Sequence, residues 1–244
     1  MPTDMAADSP NGRWADRAAS LYDADYARRY RSRDDELQAV QSHRDLLEWL
    51  GKVCDRFDRP IAALDLGCGT GRYFWGLRHL GALTGLDASP AMLDEARQPI
   101  HAERLAAVPI TLVQGDLMRH AFPPESFDLV YSIGVLAEHV PLDAALAGRV
   151  HAWLRPGGRF AFTTVHPRSP SVPVTLARRV ATAAVDRLPP VLTPALHRRL
   201  VVGGLYADER WIRTLLAGRL AIESLERFRS DVHLHGRCVA VKAS

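Results

Sequence analysis

The chain has 244 residues, 47% hydrophobic and 24% charged, with a formal net charge of +3. Those proportions suit one soluble domain with a sizeable core and exclude a disordered or collagenous chain. Cys54, Cys68 and Cys238 form neither a paired framework nor a Cys-x-x-Cys, so a disulfide scaffold and a structural zinc site are both unsupported. No apolar run nears the roughly 18 residues of a membrane span, and the polar N-terminus lacks an apolar signal core, which points to the cytoplasm.

Residues 1–12 read as a polar tail. From Trp14 to Arg33 the spacing of Trp14, Leu21, Tyr22, Tyr26 and Tyr30 is helical. A second helix is expected over 35–57, stopped by Pro60 and apolar enough to cover a sheet or pair with a copy of itself. Beyond it, short apolar runs alternate with helical stretches. Strands are expected over 61–66, 83–86, 110–113, 127–132 and 159–165, with helices over 71–80, 90–102 and 142–154 between them. That alternation predicts a parallel sheet covered on both faces. A proline-rich insertion over 167–206 interrupts the rhythm. A helix over 208–217 and strands over 219–228 and 237–243 follow, the last two close enough to form an antiparallel hairpin.

The most informative segment is Asp65-Leu66-Gly67-Cys68-Gly69-Thr70-Gly71, where a buried strand runs into three alternate glycines. Glycine permits positive φ and close backbone approach to a ligand, and a helix following the turn would offer unpaired N–H groups. A dinucleotide fingerprint would need a third glycine at position 72, which is Arg72. Twenty residues past Gly67, at the end of the next strand, Asp87 can accept both hydroxyls of a ribose. One strand further, Gly115-Asp116-Leu117 places an acid where it can accept from an exocyclic amine. Leu154-Arg155-Pro156-Gly157-Gly158 marks a turn before the fifth strand.

In their order and intervals these motifs resemble the class I S-adenosylmethionine (SAM)-dependent methyltransferases, closely over residues 60–165. The resemblance implies an α/β, doubly wound, mostly parallel, seven-stranded Rossmann-like sheet whose last strand is antiparallel. It also implies an N-terminal helical flap (13–58), a SAM-binding core (59–166), a lid insertion between strands five and six (167–206) and a closing C-terminal segment (207–244). With SAM as cofactor, Gly67, Cys68, Gly69, Thr70 and Gly71 would line its methionyl and ribose side, with Asp65 on the amino group and Asp87 on the ribose diol. Ala88 and Leu117 would sandwich the adenine, Asp116 would meet its amine, and Met92 would pack nearby or simply fill the core. Ser132 and Ile133 would stand beside the sulfonium, and Tyr30 at the carboxylate.

Methyl transfer needs alignment and exclusion of water more than acid–base groups. His139, just past strand four, is the first candidate to take or relay a proton, against a solvated loop histidine. Glu138 shares that site, against a solvated side chain. Tyr22 would approach the methyl group, or pack on the sheet. His166, at the end of strand five, is a second catalytic candidate, against a histidine that caps backbone. No metal is expected. Ser132-Ile133-Gly134-Val135 departs from the Asn/Asp-Pro-Pro-aromatic tetrad of nucleic-acid amino-methyltransferases, and no cysteine follows a proline as cytosine-C5 enzymes require.

The expected substrate is a small, partly hydrophobic organic molecule methylated at N, O or C. Between residues 166 and 219 nine arginines face three acids, and an apolar stripe with i, i+4 steps runs through 176–188. That pattern suits a lid, or a basic hairpin on a membrane surface serving a lipid or quinone acceptor. Nucleic acid is disfavoured, because no aromatic residues interleave with the arginines. A SAM-binding protein without transferase activity is the remaining alternative.

Overall fold

A computed structural model describes residues 16, 19–170, 172, 184, 205–230 and 233–243. The expected tail over 1–12, and nearly all of the insertion over 167–206, lie outside them. The elements are α1 (Ala24–Leu37), α2 (Gln41–Cys54), β1 (Ile61–Leu66), β2 (Leu80–Asp87), α3 (Pro90–Ala96), β3 (Ile110–Gln114), β4 (Phe127–Ser132), α4 (Ala144–Trp153), β5 (Leu154–Val165), α5 (Glu209–Leu216), β6 (Ala221–Arg229) and β7 (Leu234–Val241).

Alternation along each strand sorts its side chains between two cores. Leu64, Leu66, Val130, Phe160 and Phe162 face one way and bury against Leu146, Val150 and Trp153 of α4 and Ile212, Leu215 and Leu216 of α5. Ile61, Ala63, Leu129, Tyr131 and Ala161 face the other way, against Leu46, Trp49, Leu50 and Val53 of α2 and Leu93 and Ala96 of α3. Helix starts are capped by side chains: Ser89 accepts from Met92 N ahead of Pro90, Asp143 from Leu146 N and Asp208 from Trp211 N.

The strands form one seven-stranded sheet in the order β3-β2-β1-β4-β5-β7-β6. β7 runs antiparallel to both neighbours, and the other pairs are parallel. The doubly wound sheet with an antiparallel last strand is therefore present. The chain reverses its direction of travel between β1 and β4, so the crevice for a ligand opens at the carboxyl ends of those strands.

Two expected helices change. Over 71–80 there is no α-helix, only a 3₁₀ turn at Phe74–Gly76. Tyr73, Phe74, Trp75 and Gly76 are weak helix formers. Phe74 is wholly buried, and Gly76 packs so tightly that a Cβ there would lie 2.6 Å from Leu47 Cδ2. The helix expected to reach residue 102 ends at Ala96, because Pro99 restricts the residues before it. β5 begins at Leu154 and carries the Pro156-Gly157-Gly158 segment within it.

At the opposite end of the sheet, Asp128 at the start of β4 is buried, accepting from Arg59 Nη2 (2.6 Å), Arg155 Nη1 (2.7 Å) and the Ala62 N–H (2.8 Å). Burial works against its charge, but these partners hold the carboxyl below its usual range. Both arginines are themselves largely exposed. Asp128→Asn is expected to cost about 1–3 kcal/mol in urea unfolding at neutral pH. A carboxyl with a lowered folded pKa loses its contribution as pH falls, so the difference between wild type and variant should shrink below about pH 4.

Candidate active site

The β1–β2 connection turns on Gly67, Gly69 and Gly71, with φ of +78°, +54° and +75°. A Cβ on Gly67 would lie 2.6 Å from Val135 Cγ2, so only glycine fits against the β4 loop there. Without a following α-helix, the amides of this turn find partners within the protein. Gly67 N and Cys68 N donate to Leu86 O, Gly71 N donates to Cys68 O, and Gly69 N donates to Asp87 Oδ2 at 2.8 Å. Asp87 Oδ1 accepts from Ser89 N at 2.9 Å. The turn thus lacks the row of unpaired N–H groups that a pyrophosphate requires.

Beside the turn lies a cavity of about 730 Å³, within the range of small-molecule sites. Its wall includes Asp65, Gly67, Cys68, Gly69, Asp87, Ala88, Met92, Asp116, Leu117, Ile133 and Tyr30. Nine of these come from the strand ends and the loops that follow them, Met92 comes from α3, and Tyr30 comes from α1. Three expected cofactor residues stand behind the wall. Thr70 donates from Oγ1 to Asp34 Oδ2 (3.0 Å), Ser132 Oγ donates to Leu66 O (2.7 Å), and Gly71 packs over Phe74.

Three carboxyls in the wall have unusual surroundings. Burial pushes the Asp65 carboxyl up to about 8, despite the opposing influence of Tyr131; the Tyr131 hydroxyl lies near it but makes no hydrogen bond of ordinary geometry. Burial also raises Asp87, against the stabilising N–H groups of Ser89, Gly69 and Ala88. Asp116 Oδ1 accepts from Met118 N at 2.8 Å, while Oδ2 is buried with no hydrogen-bond partner among the described residues.

The second side of the cavity comes from α1 and the loop after β4. Tyr26, Tyr30, Arg33 and Leu37 recur at i, i+4, i+7 and i+11, which sets them on one helix face, and all four line the cavity with Tyr22. Asp34 fixes the helix in place. It is fully buried and accepts from Thr70 and from Arg72 Nε, while the Arg72 guanidinium lies 3.9 Å over the Tyr30 ring. Ser89 Oγ donates to Tyr22 O at 2.6 Å, tying the segment before α1 to the cap of α3.

Tyr22 Oη lies 3.4 Å from each ring nitrogen of His139, and His139 Nε2 lies 3.8 Å from Glu138 Oε1. Burial raises the Tyr22 phenol, so Tyr22 remains neutral. Glu138 lines the cavity with His139 rather than being solvated, and burial alone lifts its carboxyl to about 7. Ala137 before it holds φ +57°, a left-handed conformation that costs a non-glycine residue about 1 kcal/mol or more. His166 lies elsewhere. It is buried outside the cavity wall, with Nδ1 accepting from Arg168 N (3.1 Å) and Nε2 3.5 Å from Glu209 Oε2.

Sequence reasoning missed a further stretch of wall: His43 and Leu46 of α2, Thr163 at the end of β5, and Phe228, Ser230, His233 and His235 of the closing hairpin. The one available signal was the hairpin itself, whose turn follows a strand parallel to β5 and so falls at the same sheet edge.

The fold is a Rossmann-like sheet with an acid-lined cavity of small-molecule size at the carboxyl ends of its parallel strands. Residues 63–158 match a methyltransferase domain family. Aklanonic acid methyltransferase DauC of Streptomyces sp. (strain C5) is 33% identical over 162 residues, 62% of this chain and 71% of that protein. The demethylmenaquinone methyltransferase of Geobacillus kaustophilus is 33% identical over 130 residues, 51% of this chain, so the chain spans only 54% of that relative's length. An S-adenosylmethionine dependent methyltransferase from Mesorhizobium loti shares the fold with a TM-score of 0.54 and 27% identity, over 80% of this chain and 98% of that one. The chain belongs to the class I SAM-dependent methyltransferase family.

Removing the Asp34 carboxylate would leave Arg72, 11% exposed at its side chain, without its buried partner. Asp34→Ala is expected to lower unfolding stability by about 3 kcal/mol or more, measured by urea denaturation.

Proposed function

We propose that this chain transfers a methyl group from SAM to N, O or C of a small, partly hydrophobic organic acceptor. The observation that carries the reading is the distribution of hydrogen-bonding groups at the strand ends: Asp65, Asp87 and Asp116 line the cavity there, while the Gly67, Cys68, Gly69 and Gly71 amides are engaged within the protein. A cationic sulfonium cofactor suits such a wall, and a phosphate does not.

The wall fits the cofactor part by part. Asp116 Oδ2 has an unmet capacity to accept from the adenine amine, with Ala88 and Leu117 beside it. Asp87 has lone pairs left for the ribose hydroxyls after accepting from Gly69 and Ser89. Gly69 leaves open space, since a Cβ there would meet only Met92 Cε at 3.6 Å. Asp65 receives the methionyl ammonium. When bound, SAM supplies an electrophilic methyl on sulfur. The chain aligns the acceptor and excludes water. Tyr22 holds the His139 ring in position, and His139 or Glu138 takes a proton where the acceptor is a hydroxyl.

Among the described residues no helix is long and apolar enough to cross a membrane. Demethylmenaquinone and aklanonic acid appear in the relatives' names; for this chain the acceptor class is organic and small.

Calorimetric titration tests the cofactor. SAM and S-adenosylhomocysteine should bind at micromolar concentration, and Asp87→Ala should weaken both by about 2 kcal/mol. Absence of binding to the wild type would sink the reading, and unchanged binding to the variant would remove Asp87 from the ribose.

Asp65 gives a second test with a defined sign. With its pKa at about 8 it is mostly protonated at pH 7 in the ligand-free protein. An ammonium placed beside it favours the carboxylate, so SAM binding should release a proton. Titrations in phosphate and in Tris, whose ionisation enthalpies differ, should report that release. Asp65→Asn should abolish it.

A further inference from the structure

The cavity extends beyond the residues assigned to the cofactor, into a slot with α2 on one side and the β6–β7 hairpin on the other. His43 and Leu46 face it from α2, and Phe228, Ser230 and His235 from the hairpin. The Phe228 and His235 rings stack face to face at 15°, with centroids 4.8 Å apart, and make an aromatic shelf one ring wide. His43 lies 5.3 Å from the Tyr73 ring, which lines the same cavity.

His233 also faces the slot from the hairpin. Neither α2 nor the hairpin contributes an Asp, Glu, Lys or Arg to the described cavity wall. Arg237, near Phe228, is engaged by Glu226 at 2.7 Å, and Arg72, near His43, by Asp34. Burial, with Arg72 nearby, pushes the His43 imidazole down to about 4. Burial and His233 push His235 to about 4. Both rings are therefore neutral at pH 7. Ser230 Oγ is 2.9 Å from His235 Nε2, which holds the shelf ring in orientation. Thr163 Oγ1 accepts from Gly134 N at 3.0 Å, leaving its own hydrogen to donate into the cavity.

We propose that this slot is the acceptor subsite and that it takes an uncharged, planar aromatic compound with oxygen substituents, held against the Phe228–His235 shelf. Parallel rings at van der Waals distance recognise another flat ring by offset stacking and reject a puckered one. Among the described residues, α2 and the hairpin give the wall no carboxylate, ammonium or guanidinium to repay the desolvation of a charged ligand. The proposal rests on the methyltransferase reading for the word acceptor, but the slot and its selectivity are tested by binding alone.

The probe is 2-naphthol, followed by its fluorescence during titration into the full chain saturated with S-adenosylhomocysteine. Saturable binding is expected, with decahydro-2-naphthol competing at least about ten-fold less well. Phe228→Leu and His235→Leu should each weaken 2-naphthol by about ten-fold, while His235→Phe, which keeps a ring, should retain it. S-adenosylhomocysteine should bind all three variants as it binds the wild type, which shows that each is folded. If 2-naphthol fails to bind, the saturated alcohol binds equally, or both leucine variants leave binding unchanged, the subsite is overturned and the cofactor reading stands. If the wild type fails to bind S-adenosylhomocysteine, it is the methyltransferase reading that falls.

Discussion

The Asp87 carboxylate accepts the Gly69 N–H through one oxygen and the Ser89 N–H through the other. Through those two bonds the end of β2 holds the glycine turn after β1 and the cap of α3 in one arrangement. Ser89 in turn donates to Tyr22 O, which sets the segment leading into α1 over the same cavity. A charge on Asp87 is costly in its buried position and is stabilised chiefly by backbone N–H groups. Loss of that one side chain would release the turn, the α3 cap and one wall of the cavity together.

The missing helix after the glycine turn has a chemical consequence. In a dinucleotide fold the helix N-terminus supplies partial positive charge to a pyrophosphate. Here the connection is a 3₁₀ turn anchored by Phe74, and the amides of the turn are occupied by Leu86 O, Cys68 O and Asp87. What the strand ends offer a ligand is therefore carboxyl groups rather than free amides. Asp65 stays mostly protonated at neutral pH until something cationic arrives, while Glu138 is divided between its two forms. A buried acid of that kind costs little in the empty site and gains its full interaction only when a positive group displaces its proton.

Much of this was legible in the chain, for a definite reason. Gly67, Gly69, Gly71, Asp87 and Asp116 act at strand ends, and short connections fix their spacing, so linear order carries the geometry. The 3₁₀ turn was partly legible in Gly76 and the aromatic run, and the end of α3 in Pro99. Other features depend on contacts across long separations. Thr70 is 36 residues from Asp34, and Ser89 is 67 from Tyr22; nothing local marks either pair. His166 looked like an active-site residue because it closes a strand. Its partner Glu209 lies on α5, and their proximity follows from tertiary packing alone.

The hairpin shelf is a product of topology. β6 runs parallel to β5 at the far edge of the sheet, and β7 returns antiparallel between them. A parallel β7 would need its connection carried across to the opposite end of the sheet, as every parallel crossover does. Because β7 is antiparallel, the β6–β7 turn stays at the carboxyl edge, where β1, β2 and β4 end at the cavity. Phe228 pairs directly with His235 across that hairpin, and their rings stack face to face. The antiparallel strand thus adds uncharged aromatic wall to an edge whose carboxylates come from the parallel strands. Separate segments can then recognise the two ligands of one reaction, and the hairpin can change its residues without disturbing Asp65, Asp87 or Asp116.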